Sequence, residues 1–420
     1  MRISTSQMFR TGINTMNAQQ TQLMHLYTQI ASNRKIVTPA DDPLGAAQAV
    51  NVAQNDAMNT RYAGNRNVAT QNLAVSETVL GTVTSLLADV RTEVVRAGNG
   101  TYSDADRRTL ADTLRVTRDN LLAQANATDG NGQYLFSGFR GDTQPYALDA
   151  STGTVSWSGD AGQRMIQVDQ TRQMAGGDVG TDIFSRAAPG ARGYVTQAGA
   201  ANGGTAVIGA PQITDPAGLA ADTQFEITFD GEPLQYSVRT TRTEIDPSTG
   251  VPVQIEEDSG PFDFAGPGTL RLDGLSVSIS GQPAAGDRFS AEPLSAGGVD
   301  VFATLDTLIK RLETPVDDDP VARASLENVL SSAAQSFSAS YDNVLTVRAS
   351  QGARLAELQA LDENGDQRGL NFKKQLSGLQ DLDILAATAQ LSLRQASLEA
   401  ATLAFRRIQN TSLFAIKQGG

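Results

Sequence analysis

Residues 382–417 read LDILAATAQLSLRQASLEAATLAFRRIQNTSLFAIK, and written as heptads they carry two apolar seams. One runs through Leu382, Ala389, Ala396 and Leu403, with Leu393, Ala400 and Phe414 between. The other runs through Ile384, Leu391, Leu398 and Phe405, with Ala387, Ala401, Ile408 and Ala415. A helix with one seam needs one partner. A helix with two, interrupted by little charge beyond Arg394, Glu399, Arg406 and Arg407, needs neighbours on several sides. The pattern predicts a helix that polymerises. A membrane span competes with that reading, but Gln390, Arg394, Gln395 and Glu399 interrupt every window that would cross a bilayer.

The first residues supply a counterpart. Phe9, Ile13, Met16, Leu23, Tyr27 and Ile30 fall on one a/d seam, with Gln20 alone out of character. Burying these anchors does not clearly offset the backbone entropy of ordering about thirty residues. The ends are therefore expected to order chiefly against other subunits and to stay largely disordered in a lone chain. An ordinary intramolecular coiled coil is the alternative.

The chain has 420 residues, 40% hydrophobic and 19% charged, which is globular composition and more than one domain's length. Its net charge of −13 is unevenly spread. Residues 141–300 hold 21 carboxylates against 8 arginines and no lysine, which accounts for the whole excess. An acidic middle on a neutral remainder suggests a solvated outer domain and argues against nucleic acid. There is no cysteine, hence no disulfide framework, thiolate metal site or thiol nucleophile. The N-terminus runs through Ser, Thr, Gln and Asn with no apolar core, so no cleaved secretory signal is expected there.

Asp42-Pro43 gives an N-cap followed by proline at the first helical position, and periodic apolar residues from Val50 to Val94 carry a helix to Gly98-Asn99-Gly100. Unbroken, it is about 80 Å long, which suits a rod rather than a compact enzyme. Ser103 and Asp106 resemble a capping box, and Leu110, Leu114 and Leu121 continue an antiparallel second helix to about Asn126. Beyond it, Gln133–Phe136 reads as a strand, with Val155, Trp157, Met165, Ile166 and Val168 as candidates for others. Residues 187–298, rich in Gly, Pro and Thr, predict strands at Phe225–Phe229, Leu234–Arg239, Val251–Ile255 and Leu275–Ile279. Helices resume at Val301, stop before Pro315, and restart at the cap-proline pair Asp319-Pro320. The last long helix is expected to break near Asn364-Gly365.

The fold class is thus α+β: terminal coiled-coil helices, a long antiparallel helical bundle, and an inserted all-β domain. The expected divisions are terminal assembly segments at 1–40 and 380–420, a bundle at 41–140 and 300–379, and a β-rich outer domain at 141–299 that includes the 187–298 insertion.

Catalytic constellations are sparse. His25 is the only histidine, so a triad or a histidine metal site would have to sit on a Gln-rich helix. Asp41-Asp42 and Asp317–Asp319 each precede a helix start, where capping accounts for them better than metal binding. Gly130-Asn131-Gly132 leads into a predicted strand, not a helix, and no Gly-Lys-Ser/Thr triplet occurs, so no phosphate cradle is read. Glu232, Glu256 and Glu257 would serve a glycosidase only if brought 5 to 9 Å apart. No cofactor, metal or catalytic residue is expected.

Several stretches together resemble the flagellin-like axial proteins of the bacterial flagellum. They are MRISTSQMF (1–9), TPADDPLGAAQAV (38–50), AGNGTYSDADR (97–107), NATDGNGQYLFSG (126–138), NVLTVRASQGARLAEL (343–358) and QASLEAATLAFRRIQNTSLF (395–414). The segments around 38–50 and 348–358 are shared with flagellins. Those around 98–107, 134–138 and the C-terminal tail are similar to the hook–filament junction members in particular. The resemblance implies export through the flagellar type III apparatus with an uncleaved signal and a dedicated chaperone. It further implies assembly as a ring of identical copies between hook-associated protein 1 and flagellin, without membrane insertion. The assembly interface it implies comprises Phe9, Ile13, Met16, Leu23, Tyr27, Ile30, Leu391, Leu398, Leu403, Phe405, Ile408 and Phe414. Gly286-Asp287-Arg288-Phe289 is similar to a turn-strand of such β domains, while the rest of 187–298 departs from shorter members. Alternatives are a flagellin proper, an exported glycan-binding or enzymatic β domain on flagellar helices, or an intracellular coiled-coil scaffold.

Overall fold

The computed structural model describes residues 5–217, 219–246, 250–296 and 299–417. The chain is α+β. Helices α1 (Thr5–Ser32), α2 (Pro43–Ala97) and α3 (Asp104–Ala125) come first. Two small antiparallel hairpins follow, β1 (Tyr146–Leu148) with β2 (Val155–Trp157) and β3 (Met165–Gln167) with β4 (Gln173–Ala175), then the short helix α4 (Gly180–Phe184).

Next come β5 (Tyr194–Ala198), β6 (Val207–Ile208), β7 (Gln212–Ile213), β8 (Gln224–Asp230), β9 (Gln235–Ile245), β10 (Pro252–Asp263), β11 (Gly268–Leu272), β12 (Leu275–Ser280) and β13 (Arg288–Pro293). The chain closes with α5 (Val301–Glu313), α6 (Pro320–Gln380) and α7 (Ile384–Lys417). It divides into two compact units, Met1–Gly64 with Ala360–Gly420, and Asn65–Gln359. Helices α2 and α6 run through both.

Capping sets the helix starts. The Gly45 N–H donates to Asp42 Oδ1 at 2.9 Å, one residue before α2 begins. Ser103 and Asp106 form a reciprocal capping box on α3. Asp300 accepts from Ala303 N–H at the start of α5, and Asp319 from the Val321 and Ala322 N–H groups at the start of α6. Such caps stabilise by about 1 kcal/mol each. Asp317, by contrast, pairs with Arg107 at 2.5 Å, and Arg107 also grips Asp104. The Asp104 carboxyl is held below the ordinary range by that Arg107 bond first and by the Val316 N–H second.

In the unit 65–359 the bundle core joins Leu80, Leu87 and Val94 of α2 to Leu114 and Leu121 of α3, Leu305 and Leu312 of α5, and Leu330 and Phe337 of α6. Helix α2 holds the one stretch, among the described residues, long and apolar enough to cross a membrane. Its Leu80, Val83, Leu87 and Val90 are buried in this core. A second core lies between two sheets, β10-β9-β8-β13-β5 and β11-β12-β6, with β7 also on β12. Phe225, Ile227 and Phe229 alternate inward along β8, against Leu275, Val277 and Ile279 of β12. The Gly286–Phe289 motif is a turn: Gly286 has φ +94°, and the buried Asp287 carboxylate binds the Gly203 and Ala284 N–H groups at 2.7 and 2.8 Å.

Two expectations are corrected. Gln133–Phe136 is not a strand: Tyr134 makes one isolated bridge to Thr128, and the chain turns so that Phe136 plugs the bundle core. Gly138 has φ +73°, and a Cβ there would lie 2.0 Å from the Asp160 carbonyl oxygen, so the turn is built around a glycine. Nor does the helix break at Asn364-Gly365, since α6 continues to Gln380. One glycine costs a helix only about 1 kcal/mol, and the Asn59 amide donates to the Gly365 carbonyl at 2.8 Å.

The stretch 343–358 acquires a physical role. Its polar residues leave α6 once per turn and tie it to α2, to the chain after β3 and to α4. Asn343 donates to the Asp182 and Ile183 carbonyls. Arg348 pairs with Glu77 at 2.7 Å. Gln351, wholly buried, donates to Ser76 Oγ and Asp178, and Arg354 donates to both Asp178 oxygens at 2.7 Å. Glu357 pairs with Arg172. From α2, Asn65 and Arg66 reach the Gln167 and Val168 carbonyls of the same hairpin.

Asp178→Ala strands Gln351 and Arg354 in a largely dry site, so urea denaturation should show a loss of about 3 kcal/mol. Arg172→Ala, at a half-exposed pair, should cost under about 1 kcal/mol. Equal losses from the two would contradict this division.

Candidate assembly interface

Unit 1 is built around two end-to-end turns. The α1–α2 connection and the α6–α7 connection pair as an antiparallel bridge between Arg34 and Asp381, with Lys35 N–H on the Gln380 carbonyl at 2.7 Å. Asn33 takes φ +53° to make the first turn. Asp41 closes the loop, accepting from the Val37 and Thr38 N–H groups at 2.9 and 2.8 Å, with His25 Nε2 3.4 Å away. Its carboxyl is held below the usual range, chiefly by the Thr38 N–H. His25 therefore flanks a structural loop.

From these turns α1 and α7 run together within the single chain. Phe9 and Phe405 meet with ring centroids 5.1 Å apart, Gln395 donates to the Tyr27 hydroxyl at 2.6 Å, and Arg394 donates to Gln22. Leu23 is buried, while Ile13, Met16, Ile30, Leu391 and Leu398 are half-buried, as is Phe405. Phe9 and Tyr27 stay 42% and 43% exposed despite their contacts. The side chains of Ile408 and Phe414 lie outside the described residues. The two ends are thus already helical and paired in one chain, rather than left without structure until assembly. The pairing is shallow, because among the described residues of α1 and α7 only Leu23, Leu26 and Ala387 are buried.

A buried and half-buried stripe of α1 overlaps the one the sequence suggests without coinciding with it. It runs through Gly12, Met16, Gln19, Leu23, Leu26 and Ile30, again at a/d spacing. Gln20, the misfit of the first stripe, is exposed, and Leu26 is 6% exposed. Gln20 itself was the available signal. Gly12 is needed for contact: a Cβ there would stand 2.8 Å from Phe405 Cε2.

Among the described residues, α7 turns one of its two seams toward α1. Ala387, Leu391, Leu398, Ala401 and Phe405 lie on the α1 side, buried or half-buried. On the other side Leu385, Leu393 and Leu403 are 83%, 72% and 57% exposed, and Ala389, Ala396 and Ala400 are exposed with them. Leu403, named on sequence grounds beside Phe405, belongs to this open face. An apolar row along most of a helix marks an interaction surface.

Known proteins resemble this chain in sequence and in structure. The profile of the bacterial flagellin N-terminal helical region matches residues 3–140. Flagellar hook-associated protein 3 of Salmonella typhimurium is 29% identical over 420 residues, covering all of both chains. From end to end, this chain resembles flagellar hook-associated protein 3. The crystal structure of hook-associated protein 3 from Legionella pneumophila has a TM-score of 0.64 at 26% identity, covering 78% of this chain and 98% of that one. The flagellar junction protein FlgL from Legionella pneumophila has 0.60 at 25%, covering 80% and 100%. Phase 1 flagellin of Salmonella naestved is 27% identical over only 135 residues, 32% of this chain. The likeness to hook-associated protein 3 therefore includes the acidic β-rich middle, whereas that to phase 1 flagellin covers about a third of the chain.

Gly12→Ala should press on the Phe405 ring and weaken the α1–α7 pairing by about 1–3 kcal/mol. Amide hydrogen exchange across residues 9–30 reads this directly. Unchanged protection there would show that the two helices do not meet at Gly12.

Proposed function

We propose that this chain is the structural protein of the bacterial flagellum that forms the junction between hook and filament. The observation that carries the reading is the end-to-end likeness to hook-associated protein 3, set against a flagellin match confined to about a third of the chain. On this reading it is exported through the flagellar type III apparatus with a chaperone, and works outside the cell. It forms a ring of its own copies between hook-associated protein 1 and flagellin. The role is mechanical and needs no catalysis.

The physical support is the split use of α7. Its Leu391, Leu398 and Phe405 seam holds α1 with Ile13, Met16, Leu23 and Ile30, making each subunit's inner layer a two-helix unit. The open row of Leu385, Leu393 and Leu403 then meets neighbouring subunits, and Ile408 and Phe414 extend the heptads in sequence. The terminal segments 1–40 and 380–420 would be the assembly parts, and the β-rich segment 141–299 the outer part.

Leu393→Asp or Leu403→Asp should leave the helical circular dichroism and stability of the isolated chain within about 0.5 kcal/mol, yet abolish filament attachment in cells. Leu398→Asp should damage both. Loss of stability from the Leu393 change would mean that this face is already covered within the chain.

In a strain lacking the gene, intact hooks with unpolymerised flagellin in the medium are expected. Normal filaments would overturn the proposal, and loss of the filament antigen itself would make this chain the flagellin.

A further inference from the structure

The unit 65–359 contains a cleft of about 690 Å³ between the β5–β6 connection and helices α5 and α6. Its walls are pinned by polar locks, of which Asp287 and Asn328 are buried. On one side Asn202 brackets Arg288, donating to its carbonyl at 2.9 Å and accepting its N–H at 2.8 Å. Asp287 holds the Gly203 N–H at 2.7 Å. A Cβ on Gly204 would lie 2.4 Å from Asp287 Oδ2, so the wall is fixed in a form that only glycine fits. On the other side the buried Asn328 accepts from Ile208 N–H and donates to the Ala206 carbonyl, at 2.8 and 2.9 Å. Directional bonds hold the space open where apolar surfaces would close it.

The lining has a distinct chemistry. Lys310 and Arg311 stand at the end of α5. One Arg311 Nη donates to the Ala322 carbonyl, but its Nε–H is buried with no partner. Burial pulls the guanidinium pKa down, with Asp319 opposing. Helix-end cations complement the α5 dipole, and Lys310 and Arg311 both line the cleft.

Among the described residues the one carboxylate lining the cleft, Asp300, accepts from Ala303 N–H and the Ser185 hydroxyl. Ser325 and Ser332 present free hydroxyls on one face of α6. Thr304, Thr307 and Thr314 donate to helix carbonyls and keep their oxygens as acceptors. Among the described residues no aromatic ring lines the cleft, so none of them offers the stacking that typically holds neutral sugars.

A lone phosphate would occupy a small part of such a volume, whereas a site of several hundred Å³ suits a small organic ligand. We propose that the cleft binds an anionic polyol, a sugar acid or a sugar phosphate. Its charged group sits on Arg311 and Lys310, and its hydroxyls face the serines of α6. A guanidinium fork matches either oxyanion. The site is independent of the role in the flagellum.

Calorimetric titration of the purified full chain with glucuronate and glucose-6-phosphate tests this, with glucose and inorganic phosphate as controls. The anionic sugars should bind, phosphate at least about tenfold more weakly, and glucose not at all; the tighter of the two identifies the source. Arg311→Gln should weaken binding about 10- to 100-fold. Ser332→Phe, which fills the cleft and leaves both cations, should abolish it while the circular dichroism spectrum is kept. If Arg311→Gln does not fold, Lys310→Gln and Ser332→Phe still decide. No binding of either anionic sugar up to about 10 mM, or binding that survives Ser332→Phe, overturns the site. Phosphate binding as tight as the sugars removes the polyol, and equal binding of glucose removes the anion.

Discussion

A helix with two apolar stripes cannot bury both against one neighbour. Helix α7 is that helix, and the rest of the molecule is arranged around the consequence. One stripe is satisfied inside the chain by α1, through Gly12, Leu23 and Leu26. The other, through Leu385, Leu393 and Leu403, is left facing outward. The same helix thus holds the unit together through one stripe and leaves its other stripe open.

The pairing of α1 and α7 is shallow, and the turn network at their base compensates. The Arg34–Asp381 bridge and the Asp41 loop fix where both helices start, so a modest seam is enough to set their register. The opposite economy governs the other unit, where buried and half-buried polar groups tie α6 to its neighbours beside the apolar core. There Asn343, Gln351 and Arg354 of α6 hold the chain before and within α4. Such groups are costly when half satisfied and specific when fully paired. They explain why a stretch resembling flagellins is so rich in amides and arginines at helical spacing.

The same logic shapes the β-rich part. Asp287 gathers three backbone N–H groups into one carboxylate, and Asn202 and Asn328 do comparable work with amides. Irregular loops therefore behave as rigid walls. Apart from Asp287, the carboxylates of residues 141–300 are exposed or half-exposed, where their charge is solvated.

What the sequence determined by itself was local. Asp42-Pro43, Ser103 with Asp106, and Asp319-Pro320 marked helix starts because a cap is decided by a side chain and backbone groups three residues away. Heptad spacing marked both seams of α7, because period is a property of one strand of chain. The tertiary structure decided the rest. Which α7 seam turns inward, and that Leu26 rather than Tyr27 is buried beside Leu23, depend on how the helix is rotated against its partner. The helix runs through Asn364-Gly365 because Asn59, some three hundred positions earlier, meets the Gly365 carbonyl. Phe136 sits in a turn because a core had to be filled. Each of these is a contact between residues distant in sequence, and no local preference encodes the free energy of a contact made elsewhere.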